Sequence, residues 1–314
     1  MIEVINYSPE YKDEWDKFVK SADNFSFLFL RDYIEYHSDR FEDYSLLLIE
    51  NRNIKALLPG NIYNDDFISH QGLTYGGIIL PKNTSFEKHL LYLNSFIDYL
   101  KHKNIKHFIL KSQNYFYSQT QQNAYEYIFA SNTLIDKQYD LGTHIKCTSH
   151  EFPKKCVRKG KLALYETHSA SDASLFWPLL EKSLDSIYDS KPVHTLEEIE
   201  KLKSNFPENI QFIHLINIET GELDAGAVLF AINEVVKVQY LAVNENGRKN
   251  RASDVLYYNL IAHLKEKYQY IDFGTNMKYD NSINSSLLST KEKFGTSIHP
   301  VIKYKIDITS TLKF

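Results

Sequence analysis

The sequence has few of the residues that mark disulfide-bonded, zinc-binding or membrane-spanning proteins. Its 314 residues include two cysteines, Cys147 and Cys156, too few for a disulfide framework or a zinc cluster. No apolar run approaches the roughly 20 residues of a membrane span, and the amino-terminal residues have neither the basic start nor the apolar core of a secretory signal. We therefore expect a cytoplasmic protein with two reduced cysteines and no membrane span. The 12 histidines follow no metal-binding spacing, so we also predict no metal site.

The sequence also lacks a strong charge of either sign. With 36 Lys and Arg against 40 Asp and Glu, its net charge is −4. Because binding along DNA needs a clustered basic surface, this balance argues against a DNA-coating protein. At 43% hydrophobic residues, the chain is long enough for one large domain or two ordinary domains, each with its own core.

The stretch from Val235 to Gly274 has the most regular pattern. Val235–Val243 is β-branched and aromatic without Gly or Pro, which predicts a buried strand. Asn244–Ser253 interrupts the pattern and contains three basic residues, so we expect a basic loop. Leucines that recur at four-residue spacing from Leu256 predict a helix. Tyr270–Phe273 is then the next strand.

A basic loop at the start of a helix is a natural anion site. Unpaired N–H groups and the helix dipole both favour a negative charge there, and Ser253 or Asp254 is the candidate cap of this helix. A phosphate is one interpretation, and a solvated loop that binds nothing is the other. The residues that this stretch offers to a phosphate are Arg248, Lys249, Asn250, Arg251, Ala252 and Ser253.

The two halves of the chain repeat one order of elements, namely helices, an antiparallel meander, a helix and a strand. In the first half, a hairpin around Asn51–Asn53 opens the meander, Asn61–Ser69 continues it, and Phe86–Lys103 is the helix. In the second half, the strands are Gln211–Ile218, Leu223–Ile232, Val235–Val243, Tyr270–Phe273 and Val301–Ile308. We predict an α+β protein with two domains, residues 1–145 and 146–314, each a mainly antiparallel mixed sheet flanked by helices.

Three short segments resemble a known group of transferases. They are Tyr270–Gly274 (YIDFG), Lys291–Gly295 (KEKFG) and the final strand with Tyr304. Together with the element order, they resemble the GNAT acyltransferase fold and, as a tandem pair, the FemAB-like transferases of bacterial polysaccharide and cell-envelope pathways. The resemblance implies an N-acyltransferase that uses acetyl-CoA or another acyl-CoA, bound in the carboxyl-terminal domain where the fourth and fifth strands diverge. It also implies an acceptor amino group on a sugar or another polysaccharide precursor.

Two other functions stay open. One is an aminoacyl-tRNA-dependent enzyme of the FemAB type, with tRNA as its partner. The other is a non-catalytic module that binds a saccharide or a nucleotide. The stretch Arg248–Ser253 lacks the central glycines of the usual GNAT pyrophosphate loop, and such a module would not need them.

Acyl transfer requires donors for an oxyanion and a group that accepts a proton. The main-chain N–H groups of Leu241 to Val243 supply the donors if the strand bulges there. Asp272 follows a strand beside Gly274, and it is either the base or a side chain that fixes the next turn. Tyr240 points either into the same cleft, as a further catalytic candidate, or into the core.

His70 is the candidate base of the first half. It lies in the Gly-rich run SHQGLTYGG, where an imidazole of near-neutral pKa would act as a base; the alternative is a surface histidine before a bulged strand. Four further residues are candidates for binding the acceptor: Tyr75, His194, Lys291 and Glu292. For Lys291 and Glu292, the alternative is a solvated helix face.

Overall fold

The structure, a computed structural model, describes residues 2–118, 124–130, 135–153, 157, 159–278 and 280–309. The chain divides into two compact units: unit 1 comprises Met1–Tyr139 and Val301–Phe314, and unit 2 comprises Asp140–Pro300. This division differs from the predicted boundary after residue 145, because the last strand belongs to unit 1, where it pairs with another strand of that unit.

The described ranges contain strands and helices of both units. The strands are β1 (Ile2–Asn6), β2 (Leu46–Glu50), β3 (Asn53–Leu58), β4 (Asn61–Tyr63), β5 (Asp66–Ile68), β6 (His107–Lys111), β7 (Ile135–Lys146), β8 (Tyr165–Ala170), β9 (Ile210–Asn217), β10 (Leu223–Ile232), β11 (Val235–Val243), β12 (Tyr270–Thr275) and β13 (Ser297–Asp307). The α-helices are α1 (Lys12–Ser21), α2 (Arg31–Ile34), α3 (Phe86–His102), α4 (Ala124–Ala130), α5 (Lys159–Leu162), α6 (Trp177–Tyr188), α7 (Leu196–Asn205), α8 (Glu245–Asn250), α9 (Ala252–Leu264) and α10 (Ser285–Glu292).

Unit 1 contains an antiparallel sheet of order β1-β2-β3 and a mixed sheet of order β4-β5-β6-β13. The β2–β3 hairpin turns through Asn51 (φ 51°) and Arg52 (φ 64°), left-handed values that a type I′ turn needs. β5 and β6 pair in parallel, and α3 lies between them in the chain as the crossover. The prediction that Asn61–Ser69 extends the first meander is wrong, because β4 and β5 belong to the sheet of β6.

Unit 2 contains a sheet of order β7-β12-β11-β10-β9-β8. Strands β8 to β11 are antiparallel neighbours, and β11 pairs with β12 in parallel through the crossover helix α9. Asn233 (φ 51°) permits the tight turn between β10 and β11. The predicted strands Leu223–Ile232 and Val235–Val243 are confirmed residue for residue.

Each unit has its own hydrophobic core. In unit 1, α3 buries Leu93, Phe96 and Leu100 among the apolar residues of the strands, and the predicted helix Phe86–Lys103 is confirmed to within a residue. In unit 2, the core includes apolar side chains of α9 and of β9 to β12. Each fully buried side chain of this kind contributes about 1.5–3 kcal/mol to the free energy of folding. The packing of α3 and α9 therefore stabilises the sheets that carry the candidate residues.

Candidate functional site

The site in unit 2 is organised by the divergence of β11 and β12. Within the described residues of both strands, parallel pairing covers only Val235–Lys237 and Tyr270–Asp272, whereas β11 continues to Val243 along β10. From Val238 onward, the main-chain groups on the other edge of β11 therefore lie outside this pairing. Such an edge can bind an extended chain that carries amide groups.

β11 has a β-bulge at Gln239. The register with β10 shifts between Val238 and Tyr240, so Gln239 is the extra residue. From the sequence, a bulge at Leu241–Val243 is named only as a condition for oxyanion donors, and the bulge is not at those residues, because they pair with β10 in regular register. A bulge re-aims the side chains on either side of it, and here it lies directly beside the candidate Tyr240.

Tyr240 and His194 were separate candidates, and the structure brings them together. The Tyr240 hydroxyl lies 2.7 Å from Nδ1 of His194, and the Trp177 ring meets the Tyr240 ring edge-on with 5.7 Å between centroids. Burial raises the pKa of Tyr240 to about 12, against smaller opposing effects of hydrogen bonds from His194 and Gln239. The phenol is therefore protonated at neutral pH and can donate a proton.

The basic stretch after β11 is helical and is not the predicted loop. Asn244 caps α8 by accepting the Gly247 N–H at 2.6 Å. Arg251, at φ 60°, joins α8 to α9 and occupies the N-cap position of α9. Neither Ser253 nor Asp254 caps this helix as predicted, since both lie within its first turn.

The predicted phosphate-binding residues differ in their surroundings. Arg248 and Lys249 of α8 are exposed, and Ala252 is buried. Arg251 Nε lies 3.0 Å from Asp254 Oδ2, so Arg251 forms an ion pair. Arg248 and Lys249 are consequently the side chains of this stretch best placed to meet a dissolved anion.

Two further predicted residues lie where the strand pairing stops. Asp272 Oδ1 accepts the Gly274 N–H at 2.7 Å, and Gly274 has φ 70°. Lys291 is 3% exposed and donates from Nζ to the Phe273 carbonyl at 2.7 Å, so it does not lie on a solvated face. Burial lowers the pKa of Lys291 to about 8, while the charge of Asp272 acts in the opposite direction. Glu292 is exposed.

Two histidines that the sequence pattern does not single out lie beside Asp272. Asp272 is in register with Lys237 of β11 on one side and with His144 of β7 on the other, so the three side chains share one face of the sheet. His144 Nδ1 lies 3.1 Å from Nδ1 of His299. Burial lowers the pKa of both imidazoles, that of His299 to about 4, and Asp272 opposes this shift. The pairing of β7 with β12 creates this polar cluster.

His70, the candidate base of the first half, is a buried residue of unit 1. It has φ 58°, is 1% exposed, and stacks on His37 with 4.9 Å between ring centroids. Burial is the main cause that lowers the pKa of His70 to about 2, and the charges of His37, Lys111 and Arg31 add to it. The expected near-neutral pKa and surface position are therefore wrong, because desolvation favours the neutral ring.

Tyr75, also in unit 1, is a core residue. It is 4% exposed, its hydroxyl lies 3.1 Å from Ser26 Oγ, and its ring packs against Phe29 and Tyr117. The Tyr75 hydroxyl thus makes a hydrogen bond inside unit 1. The predicted role of Tyr75 in binding an acceptor stays a prediction.

Cys147 directly follows strand β7. Cys147 is a free, buried thiol whose pKa is raised by burial to about 11, and Cys156 lies outside the described residues. Across the described ranges, His, Cys, Asp and Glu form no group of three or more that would hold a metal ion. Among the helices in those same ranges, none combines the length and apolar character needed to cross a membrane.

Comparison with known proteins identifies the fold. No protein-family profile matches the chain. The chain is similar to FemX (TM-score 0.65, 12% identity, 96% of both chains), to L-PGS from Bacillus licheniformis (TM-score 0.56, 12% identity, 98% of this chain and 94% of that one), and to a tandem GNAT protein from the clavulanic acid biosynthesis pathway (TM-score 0.53, 10% identity, 99% and 100%). The chain therefore has the fold of these structures, a tandem GNAT-type arrangement of mixed sheets and helices, as the sequence predicts.

One curated protein matches part of the sequence. The ER degradation-enhancing alpha-mannosidase-like protein 1 of Saccharomyces cerevisiae is 33% identical over 118 residues, which are 37% of this chain. The match covers 14% of that yeast protein, so it assigns neither a family nor an activity to this chain.

Proposed function

We propose that this protein is an acyl-CoA-dependent N-acyltransferase, with the acyl donor bound in unit 2 between the diverging strands β11 and β12. The observation that carries this proposal is the end of strand pairing after Lys237 and Asp272, while β11 continues to Val243. The amide groups of the pantetheine arm of CoA match the main-chain groups of such an edge. The GNAT-type fold of the chain supports the same class of reaction.

The residues around this edge fit a CoA thioester. Arg248 and Lys249 offer two exposed cations at the carboxyl end of β11, and charge-assisted bonds to phosphate are among the stronger polar contacts. Gly247 lets α8 pack closely on β10, since a Cβ at Gly247 would lie 2.4 Å from the Asp224 carbonyl oxygen. The bound thioester would supply an activated acyl carbon.

Tyr240 is the proposed proton donor of the reaction. A neutral amine attacks the acyl carbon, the C–S bond breaks, and the thiolate takes the proton of the Tyr240 hydroxyl. The attacking nitrogen releases its extra proton to solvent, and the Tyr240 phenolate regains a proton from solvent. The pKa of Tyr240, raised by burial to about 12, keeps the phenol protonated before this step. His194 holds the hydroxyl at 2.7 Å and so fixes its direction. Main-chain N–H groups of β11 are the proposed oxyanion donors, and they need no bulge at Leu241–Val243. The Asn244 N–H donates to the Asp224 carbonyl of β10, so by the alternation of a regular strand the N–H groups of Leu241 and Val243 face the other edge of β11.

Asp272 is proposed as a positioning residue. Its bond to the Gly274 N–H favours the second of the two roles that the sequence left open, a side chain that fixes the turn after β12. His70 is not part of this mechanism, because a ring that is 1% exposed with a pKa of about 2 is a poor base at neutral pH. The proposed acceptor is an amino group of a sugar or of another polysaccharide or cell-envelope precursor, with cytoplasmic acyl-CoA as donor.

A thermal unfolding series tests the donor class. Acetyl-CoA should raise the melting temperature, because a ligand that binds only the folded state stabilises it, by about 2.7 kcal/mol at a concentration 100 times Kd. Pantetheine, which lacks the diphosphate and the nucleotide, should give a smaller shift. A shift with aminoacyl-tRNA and none with acetyl-CoA would replace this proposal by an aminoacyl-tRNA-dependent transferase. A shift with neither donor, but with a saccharide or nucleotide, would indicate a non-catalytic binding module.

A further inference from the structure

Strand β8 is the edge strand of the sheet in unit 2 and is paired on one side only. Its residues, Tyr165–Ala170, are in register with Phe212–Asn217 of β9. Among the residues that the structure describes, no strand pairs with the outer side of β8. The four residues from Glu166 to Ser169 are exposed. Such an edge presents main-chain N–H and C=O groups to which another strand can bond.

β8 has few of the features that protect sheet edges from pairing. It contains neither Pro nor Lys, and its register with β9 is regular, without a bulge. It has six residues, whereas β4, the edge strand in the mixed sheet of unit 1, has three. Proteins usually shorten, bulge or charge an edge strand to prevent association. A regular edge of this length indicates that another strand covers it.

The hydrogen bonds to β9 identify the groups of β8 that face outward. The Ile218 N–H donates to the Leu164 carbonyl at 3.0 Å, directly before the first pair of the β8–β9 register. Because bonded and non-bonded pairs alternate along an antiparallel ladder, the even-numbered residues of β8 bond to β9. The N–H and C=O groups of the odd-numbered residues therefore face the free edge, and these residues are Tyr165, Thr167 and Ser169.

These outward groups match a second copy of β8 that runs antiparallel about a two-fold axis at Thr167. In that register, Thr167 lies opposite Thr167 of the second copy, and Tyr165 lies opposite Ser169. All the outward groups then have partners, which gives about six main-chain hydrogen bonds. An axis one residue away, at Glu166 or His168, would leave about four of these bonds.

The side chains of β8 favour the same register. Glu166 and His168 lie on one face of the strand, with His168 Nε2 3.3 Å from Glu166 Oε2. With the axis at Thr167, Glu166 lies opposite His168 of the second copy in a non-hydrogen-bonded pair, where side chains approach most closely. A histidine ring can donate to a carboxylate in either charge state. An axis at Glu166 would instead place two carboxylates opposite each other.

An exposed apolar side chain lies near each end of β8. Ile218, bonded to the residue before β8, is 52% exposed, and Leu175, which follows the other end, is 57% exposed. A two-fold axis brings the start of one β8 beside the end of the other. The Ile218 end of each copy would then lie beside the Leu175 end of the other copy, where apolar surface can be buried.

We propose that this protein forms a dimer with a second copy of itself, by antiparallel pairing of the two β8 strands about a two-fold axis at Thr167. Each copy contributes the same surface, as a two-fold interface requires. A strand pair of this length buries less than the roughly 1,200 Å² of a standard interface, so the dissociation constant should lie in the micromolar range. β9 and β10 separate β8 from β11 in the sheet, and the pairing does not depend on acyl transfer.

Sedimentation equilibrium of the whole protein, at about 1 to 300 µM, tests the association. The mean mass should rise with concentration from 36.7 kDa toward twice that value. Thr167→Pro removes an outward N–H and spares the bonds to β9, which is where an edge strand tolerates proline. It should weaken the association about tenfold or more. Thr167→Ala is the matched control, since it keeps the N–H and should associate like the wild type.

A pair of charge variants tests the register. In Glu166→Lys the introduced lysine faces His168 of the second copy, and in His168→Glu the introduced glutamate faces Glu166. Each variant alone should associate about tenfold more weakly than the wild type, because like charges oppose each other or a hydrogen bond is lost at two symmetric positions. An equal mixture of the two variants places opposite charges at both positions and should recover the wild-type association.

Circular dichroism of each variant first establishes that it folds, and if one set of variants does not fold, the other set decides. A wild-type mass of 36.7 kDa at every concentration would show that the edge of β8 does not pair with itself. Wild-type association of Thr167→Pro would place the contact on another surface. A mixture of the charge variants that associates no better than either variant alone would exclude the axis at Thr167. Each of these results overturns the proposal.

Discussion

Units 1 and 2 each contain a parallel strand pair with a crossover helix, but the chain continues differently in the two units where the pairing ends. In unit 2, β11 continues past the pairing to Val243 and leaves an edge beside β12. In unit 1, β5 ends at Ile68 with its pairing to β6, and a loop follows. The loop bonds to β6: Ser69 N–H donates to the Ile109 carbonyl at 2.8 Å and Gly76 N–H donates to the Lys111 carbonyl at 2.8 Å.

Because of this difference, the β5–α3–β6 unit and the β11–α9–β12 unit, which are similar in topology, differ in whether a strand edge is free to bind a ligand. The edge of β6 is closed by main-chain bonds of its own unit, and Lys111 Nζ further contacts the carbonyls of Gln71 and Leu73. In unit 2 the buried Lys291 bonds main-chain carbonyls in the same way, those of Phe273 and Thr275. Among the residues that the structure describes, however, no strand pairs with β12's side of β11 after Lys237. An open edge suits a ligand with amide groups, so the comparison favours unit 2 as the donor-binding half.

The largest expected effect concerns Tyr240. Tyr240→Phe removes the hydroxyl that is proposed to protonate the thiolate, and kcat should fall by about 10² because general acid catalysis is lost. The affinity for acetyl-CoA, measured by calorimetry, should stay the same. Steady-state rates of CoA release with an amino sugar acceptor give kcat.

The matched control is Tyr63→Phe, a tyrosine of unit 1 that is 60% exposed. It should retain wild-type kcat. If Tyr240→Phe kept wild-type kcat as well, the pair of Tyr240 and His194 would be a packing feature, and the assignment of chemistry to unit 2 would lose its proton donor.

A smaller effect is expected for the exposed cations of α8. Arg248→Ala combined with Lys249→Ala should weaken CoA binding about tenfold, since exposed charge-assisted contacts to phosphate contribute modestly and are screened by salt. Calorimetry at two ionic strengths measures both the loss and its salt dependence. These changes leave the Arg251–Asp254 ion pair at the start of α9 intact.

Lys82→Ala combined with Lys88→Ala removes two exposed lysines from unit 1 and serves as the charge control. It should not alter CoA binding. Equal losses in both double variants would mean that the protein attracts CoA through its general charge and that α8 holds no specific site.

The sequence predicted the elements whose local pattern is strong. β10 and β11 follow apolar, β-branched runs, and α3 follows a regular apolar spacing, so burial on one face determines these elements. Strand β8 is not predicted from the sequence, because most of its residues are exposed and polar (YETHSA) and show no apolar pattern. β7 includes charged residues and Gly142, and pairing with β12 supplies its stability.

Side-chain environments were harder to predict than elements. Lys291 looks like a solvated residue in KEKFG, and only the tertiary fold shows that its amine bonds to the Phe273 carbonyl. Asn244 and Gly247 look like loop residues, yet one caps α8 and the other permits its close packing. The cluster of His144 and His299 depends on which strands pair, and a local pattern does not contain that information.

The smallest expected effect concerns acid stability and His70 of unit 1. The pKa of His70 is lowered to about 2 in the folded protein, whereas an unfolded histidine has a pKa of about 6.5. Below pH 6.5 the unfolded chain binds a proton that the folded chain does not, so this contribution to stability is present above pH 6.5 and is lost as the pH falls. Between pH 8 and pH 6, the loss should be about 1 kcal/mol of unfolding free energy.

His70→Asn tests this sign, because asparagine tolerates the left-handed backbone at φ 58° and does not titrate. Urea unfolding at pH 8 and pH 6 should show a smaller loss of unfolding free energy for the variant than for the wild type. The neighbouring His37 is present in both proteins, so its own titration contributes to both. The control is His102→Asn, which removes an exposed histidine and should leave the pH dependence of the unfolding free energy as in the wild type. Equal pH dependence of His70→Asn and the wild type, together with a fall in kcat, would show that the ring titrates normally and would restore His70 as a candidate base. If His70→Asn instead keeps the wild-type kcat and shows the reduced pH dependence, His70 is a packing residue of unit 1. The proposed acyl transfer would then depend on the residues beside the edge of β11 in unit 2.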